Sequence, residues 1–151
     1  MPVAKLMEFL DAHGVKYVTI RHSMAYTAME VAESAHIQGK ELAKTVMVNL
    51  DGRMAMAVVP GSRKVVLDRL AKATGARSVD LATEQDFAGR FPGCQVGAMP
   101  PFGNLYGMDV YVDPRLAQDQ EIAFNAGSHT ELVKMTYKDF ERLVQPKPIP
   151  M

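Results

Sequence analysis

Three groups of residues in this sequence have the types and spacing to do chemistry. Lys44 ends an alternating row, Lys44-Val46-Val48-Leu50, so an ammonium shares a strand face with three apolar side chains. That placement is unusual, because lysines are seldom buried without a partner. The second group is Gly97-Ala98-Met99-Pro100-Pro101-Phe102-Gly103-Asn104. Adjacent prolines stiffen this stretch, while Gly97 and Gly103 permit torsions closed to other residues. Such a loop can line a pocket and donate backbone N–H groups to a carbonyl or oxyanion; spacing alone equally describes a tight crossover. The third is Phe124-Asn125-Ala126-Gly127-Ser128-His129-Thr130. Its Asn, Ser, His and Thr side chains offer donors and acceptors, and His129 could titrate near neutral pH; a surface hairpin turn has the same composition.

A weaker signal is Gly61-Ser62-Arg63-Lys64, which would open a helix and hold a phosphate through its backbone N–H groups. It begins the most basic stretch of the chain, where Arg63, Lys64, Arg69, Lys72 and Arg77 face Asp68 alone. A solvated helix face would look the same. Several standard catalytic patterns are missing: there is no GxSxG elbow, Walker A loop or GxGxxG. His13, His22, His36 and His129 form no HExxH and pair with no cysteines, so no metal site is expected. Cys94 stands alone, which rules out an internal disulfide framework and fits a reducing compartment. It reads as a small apolar loop residue. Nothing calls for a metal or an organic cofactor.

The elements that must position these groups follow from periodicity and turn chemistry. Val3, Leu6, Met7 and Leu10 make one stripe of a helix over 3–13, stopped by Gly14. Tyr17 to His22 alternates as a short strand. Thr27 caps a helix through Ala35, with Glu30 as its capping-box partner. Asp51-Gly52 between two apolar runs specifies a two-residue hairpin, pairing Leu50 with Arg53, Val48 with Ala55, Val46 with Ala57 and Lys44 with Val59. Ser62 is expected to cap a helix from Arg63 to Thr74, with Val66, Leu70 and Ala73 inward and Gly75 at its end. Thr83 would cap Glu84–Arg90, and residues 91–109 read as a long loop. Strands are expected at 110–112, 121–124 and 131–135, and Thr136 caps a last helix, Tyr137–Val144. Without a strict βαβ rhythm, this mixture is α+β, with a mixed, largely antiparallel sheet surrounded by helices.

With 151 residues and no dividing linker or repeat, one domain over 1–151 is expected. Hydrophobic residues at 48% and charged residues at 23% are a globular balance. No apolar run approaches the roughly 20 residues of a membrane span. The first eleven residues mix acids with apolar side chains, unlike a secretory signal, so a cytoplasmic location is expected. Seventeen basic and 17 acidic side chains cancel, so a nucleic acid would have to be met by a local patch.

Taken together, these groups resemble the YbaK/prolyl-tRNA synthetase-associated family of editing domains over nearly the whole chain. The resemblance rests on Gly39-Lys40-Glu41-Leu42-Ala43-Lys44-Thr45-Val46, on Gly97-x-x-x-Pro101-Phe102-Gly103, and on Tyr111-Val112-Asp113 before the Asn125–His129 turn. Thr136-Tyr137-Lys138-Asp139-Phe140 is similar to the family's closing helix. It implies that family's partly barrel-like sheet and hydrolysis of amino acids wrongly esterified to a tRNA, usually tRNA(Pro). Lys44 matches the family's functional lysine, which holds the substrate's terminal nucleotide and acyl group. Gly97 to Pro101 matches the GxxxP loop that positions the scissile ester, and His129, Asn125 and Ser128 fall in a pocket-lining segment. The resemblance therefore implies Lys44, Gly97 and His129 as catalytic. Thr45, Pro101, Phe102, Gly103, Asn125, Gly127 and Ser128 would bind substrate. Arg63 and Lys64 are candidates for the RNA backbone.

Such a scheme needs no covalent residue. The aminoacyl ester is activated, a neighbouring ribose hydroxyl can orient the water, and the protein supplies positioning and oxyanion stabilisation. The implied partners are the aminoacyl-tRNA acceptor end and an aminoacyl-tRNA synthetase, with no DNA and no membrane. Two rival readings are a non-catalytic tRNA- or synthetase-binding module and a hydrolase of small acyl esters. Zero net charge then predicts a footprint of few phosphates and a shallow salt dependence.

Overall fold

The hairpin that carries Lys44 is the spine of the molecule. In the computed structural model, which describes residues 3–151, β2 (Ala43–Leu50) and β3 (Arg53–Pro60) pair antiparallel in the expected register, Lys44 opposite Val59 and Leu50 opposite Arg53. Asp51 and Gly52 both take left-handed φ values, 51° and 83°, the geometry of a tight primed turn.

Helix α1 (Ala4–Ala12) buries Leu6 and Leu10, and β1 (Tyr17–Arg21) follows. Helix α2 (Ala28–Ser34) starts at the Thr27–Glu30 capping box, with both reciprocal bonds formed. After β3 comes α3 (Leu67–Thr74), then β4 (Val79–Leu81) and α4 (Glu84–Phe87). The short strand β5 (Val110–Val112) precedes β6 (Glu121–Asn125), β7 (Glu131–Thr136), α5 (Tyr137–Val144) and β8 (Lys147–Pro148). Thr136 caps α5 by accepting from the Asp139 N–H.

Two sheets result, with strand orders β1-β7-β6 and β4-β2-β3-β5-β8. Four pairings are antiparallel, and β3–β5 and β5–β8 are parallel. One parallel bridge, Leu42 to Ala123, joins the sheets, which do not close into a barrel. The main core lies between them, where Phe102, Phe124 and Phe140 pack ring to ring. A second core lies beneath α3, where Val48, Ala55, Ala57 and Val59 meet Leu70 and Ile149.

Three local expectations need correction. Residue 62 does not start α3; the helix begins at Leu67, because Pro60 to Arg63 close a turn (Arg63 N–H to the Pro60 carbonyl, 2.9 Å) and the Arg63 carbonyl accepts from Lys44. Its inward residue is Leu70, while Val66 and Ala73 are exposed. Strand β4 was not anticipated in the sequence; its three residues owe their extension to pairing with Val48–Leu50. Helix α4 stops at Phe87 and not at Arg90, since Ala88 leaves helical torsions and Gly89 has φ 79°.

Candidate active site

The site sits where β2 lacks a neighbour. Strand β4 pairs with β2 only over Val48–Leu50, and β6 pairs with this chain segment only through the isolated bridge at Leu42, just before β2. Between these contacts residues 43–47 border a cavity of about 310 Å³, at the small end of the ~300–1,000 Å³ usual for ligand pockets. Its other walls come from Tyr26 before α2, Leu81 and Ala82 at the end of β4, Val96, Gly97 and Met99 of the glycine-proline loop, and Asn125 at the end of β6. A larger depression of about 420 Å³ lies at the turn end of the hairpin, bordered by Arg53, Arg90 and Asp109, and holds none of the candidate residues.

Lys44 is half-buried at the cavity edge, and its Nζ donates to the Arg63 carbonyl at 2.6 Å. Burial, then the charge of Lys64, lowers its pKa below the ordinary lysine value. Among the described residues no carboxylate forms an ion pair with it. An ammonium tied to a neutral carbonyl beside a second cation retains most of its charge for an incoming anion. The 60–64 turn thus places Arg63 and Lys64 beside Lys44 without forming a helix N-terminus.

Gly97 has φ 83°, a torsion that L side chains rarely adopt, and it lies over the His129 ring: a Cβ there would sit 3.6 Å from His129 Cε1. A set of hydrogen bonds fastens this loop to the 127–129 turn. Gln95 N–H donates to the Gly127 carbonyl (2.7 Å), and Gly127 N–H donates to the Ala98 carbonyl (2.8 Å). His129 N–H donates to Gln95 Oε1 (2.7 Å), and its Nε2–H donates to the Val96 carbonyl (2.8 Å). The last bond fixes the ring tautomer, leaving Nδ1 buried without a partner. His129 is therefore behind the loop, outside the cavity wall, and its buried ring packs against the Tyr26 ring, centroids 4.9 Å apart.

The expected site residues divide accordingly. Lys44, Thr45, Gly97 and Asn125 line the cavity, and Asn125 Oδ1 is buried with no partner. His129, Gly127 and Ser128 support it from behind, Ser128 Oγ lying 3.3 Å from Thr130 Oγ1. Pro101, Phe102 and Gly103, expected to bind substrate, are instead buried outside the lining. Phe102 anchors the loop in the aromatic core, and a Cβ on Gly103 would stand 2.6 Å from the Met108 carbonyl oxygen. They fix the loop's path. Tyr26 and Gln95 were not singled out in the sequence, and no spacing rule marks them: each reaches the site through a contact more than 30 residues distant. The cavity lining includes no histidine, carboxylate or cysteine among the described residues. Cys94 is half-buried, with Sγ 3.8 Å from the Tyr106 hydroxyl, and burial raises its pKa.

The arrangement is a cation and a rigid backbone loop facing a small cavity with no nucleophile–base pair. Residues 22–143 match the aminoacyl-tRNA editing domain. The chain belongs to that family. Among its relatives is the Escherichia coli K12 multifunctional Ser/Thr-tRNA deacylase ProXp-y, 27% identical over 95% of this chain and 88% of the relative. A 91-residue stretch, 60% of this chain, is 31% identical to 16% of the proline–tRNA ligase of Streptomyces coelicolor. In fold the chain matches a candidate trans-editing enzyme for prolyl-tRNA synthetase with a TM-score of 0.80 (20% identity, 97% and 95% of the two chains). It also matches the hypothetical protein APE2540 at 0.83 (19% identity, 96% and 98%).

As an editing domain the chain is a hydrolase of the ester between an amino acid and a tRNA 3′ end. That reaction needs the ester carbonyl polarised, the attacking water oriented and the acceptor end held. The site has candidates for the first and third in the Gly97 loop and in Lys44. No described helix is long and apolar enough to cross a membrane.

Proposed function

We propose that this single domain, residues 1–151, acts in trans on mischarged tRNA(Pro), in the cytoplasm, with a synthetase as its natural neighbour and neither DNA nor membrane as a partner. The observation that carries this reading is the Lys44 ammonium, held by the Arg63 carbonyl and by no carboxylate among the described residues, at the mouth of a small cavity walled by Gly97 and Asn125. Lys44 grips the phosphate of the terminal nucleotide, with Arg63 and Lys64 on the adjoining backbone. The Gly97 loop holds the ester, Thr45 and Asn125 contact the aminoacyl part, and His129 positions the loop through Val96. Water adds to the ester carbonyl carbon, the carbon–ribose oxygen bond breaks, and the departing ribose oxygen takes the water's proton. The vicinal ribose hydroxyl orients the water. A 310 Å³ cavity admits small side chains, so selection against the cognate amino acid is by shape.

A panel of tRNAs charged with alanine, serine, threonine, cysteine and proline tests this. Hydrolysis of at least one mischarged tRNA(Pro) well above the buffer rate is expected, with prolyl-tRNA(Pro) spared. Binding of tRNA without turnover on any member would make the chain a binding module and sink the proposal.

A further inference from the structure

The outer edge of β2 has an unfilled place. In the β2–β3 register, hydrogen bonds to β3 come from Lys44, Val46, Val48 and Leu50, since the closing pair of a two-residue hairpin is always hydrogen-bonded. The Gly61 N–H to Leu42 carbonyl bond, 2.7 Å, continues that series. The main-chain groups of Thr45 therefore point the other way, toward the edge. Along that edge the Glu41 carbonyl accepts from the Ala123 N–H of β6 (3.0 Å), and the Met47 carbonyl accepts from the Ala82 N–H after β4 (2.9 Å). Ala43 and Thr45 lie between them on that edge, and Thr45, on the cavity wall, pairs with neither strand.

An edge-facing N–H and C=O on one strand residue recognise another strand's C=O and N–H. An aminoacyl ester carries the same pair: an ester carbonyl that accepts and an α-ammonium that donates, separated by one carbon. The geometry points to the Thr45 main chain as the cradle of the aminoacyl group, its N–H donating to the ester carbonyl oxygen and its C=O accepting from the α-ammonium. Asn125 borders the same cavity as Thr45. When water adds, the carbonyl oxygen becomes an oxyanion and the Thr45 N–H stabilises it; when the bond from the carbonyl carbon to the ribose oxygen breaks, the oxyanion's electron pair re-forms the C=O and the ribose oxygen leaves with the proton given up by the water. The substrate class is then esters of α-amino acids with a free amine, read independently of the side chain. This rests on the deacylase reading and adds to it a backbone contact and a demand for the amine.

Two measurements test it. Alanyl-tRNA and propionyl-tRNA differ only in the α-ammonium; after division by their buffer hydrolysis rates, the wild type should favour the alanyl ester at least about tenfold in kcat/KM. Thr45→Pro deletes the N–H at an edge position that tolerates proline, and loss of one oxyanion donor predicts about a 100-fold fall in kcat. Thr45→Val keeps both main-chain groups and should keep the alanyl preference. Should Thr45→Pro fail to fold, the wild type answers alone: titration with 3′-deoxy-3′-(alanylamino)adenosine should shift the Thr45 amide resonance, and the propionylamino analogue should shift it less. Equal hydrolysis of both esters, or a silent Thr45 amide while Gly97 and Asn125 signals move, overturns the inference and leaves the deacylase reading standing. No hydrolysis of any charged tRNA and no shift in the cavity would sink both.

Discussion

Replacing Lys44 by methionine separates a functional cation from a structural one. The substitution keeps most of the aliphatic stem and removes the ammonium with its bond to the Arg63 carbonyl. On stability, the lost bond is offset by release of a half-buried charge whose pKa is already lowered by burial and by Lys64, so the net change should stay within about 1 kcal/mol. On activity, a charge-assisted contact to a phosphate contributes about 1.5–3 kcal/mol, which predicts a loss of roughly 10- to 150-fold in kcat/KM. The slope of log binding constant against log salt should fall by about one. The assay is deacylation of mischarged tRNA(Pro) beside denaturant unfolding of the same protein. Wild-type kcat/KM in the variant, or activity lost only in step with a stability loss of several kcal/mol, would refute the reasoning. The pH arm has a definite sign. Because the folded pKa lies below the unfolded one, the charged form weakens the fold at low pH, and stability is regained as pH rises through the folded pKa toward the unfolded value. Activity should move oppositely and fall as Lys44 deprotonates. Lys64→Gln removes one cause of the lowered pKa and should move that alkaline limb upward.

Gly97→Ala forces a side chain into a left-handed torsion and should cost about 1–2 kcal/mol locally, with kcat falling more than stability; an active variant of normal kcat would remove the loop from the mechanism. Gly103→Ala drives a Cβ against the Met108 carbonyl oxygen and should lower the unfolding midpoint markedly; a destabilised protein whose relative rates among mischarged tRNAs are unchanged would show that Gly103 does not read substrate. Gln95→Ala removes the acceptor of the His129 N–H and frees the 95–98 loop, so kcat should drop while KM for tRNA changes little; a pure KM effect would contradict a positioning role. Thr27→Ala should cost about 1 kcal/mol through loss of the capping box before α2, read by thermal unfolding.

Much of the scaffold was legible because its signals are local. Asp51-Gly52 dictates its turn by backbone torsion alone, and the turn dictates the register that puts Lys44 opposite Val59. Thr27 with Glu30, and Thr136 with the Asp139 N–H, satisfy helix N–H groups from within four residues. The Ser62 cap failed because a non-local acceptor relation, Lys44 to the Arg63 carbonyl, stabilised a turn where propensity favours a helix. Strand β4 was invisible because three residues carry no periodicity, and only pairing with β2 extends them.

The candidate site divides along the same line. Its chemistry-bearing residues Lys44, Gly97, Asn125 and His129 are readable in the sequence, since a cation ending an apolar row and a glycine before two prolines are anomalies within a few residues. Their roles in space are not. Whether His129 faces the cavity or braces the loop depends on Val96 and Gln95, more than 30 residues away. Phe102 and Gly103 belong to the motif, yet one is core and the other a close backbone contact. By itself the sequence determined the Asp51-Gly52 turn, the Thr27 and Thr136 caps, the hairpin register and the family, because each rests on short-range torsion, hydrogen bonding or residue order. Only the tertiary structure decided that β4 and β6 stop short of one another along β2. That gap makes the cavity, and it arises from packing between distant strands, which no local pattern encodes.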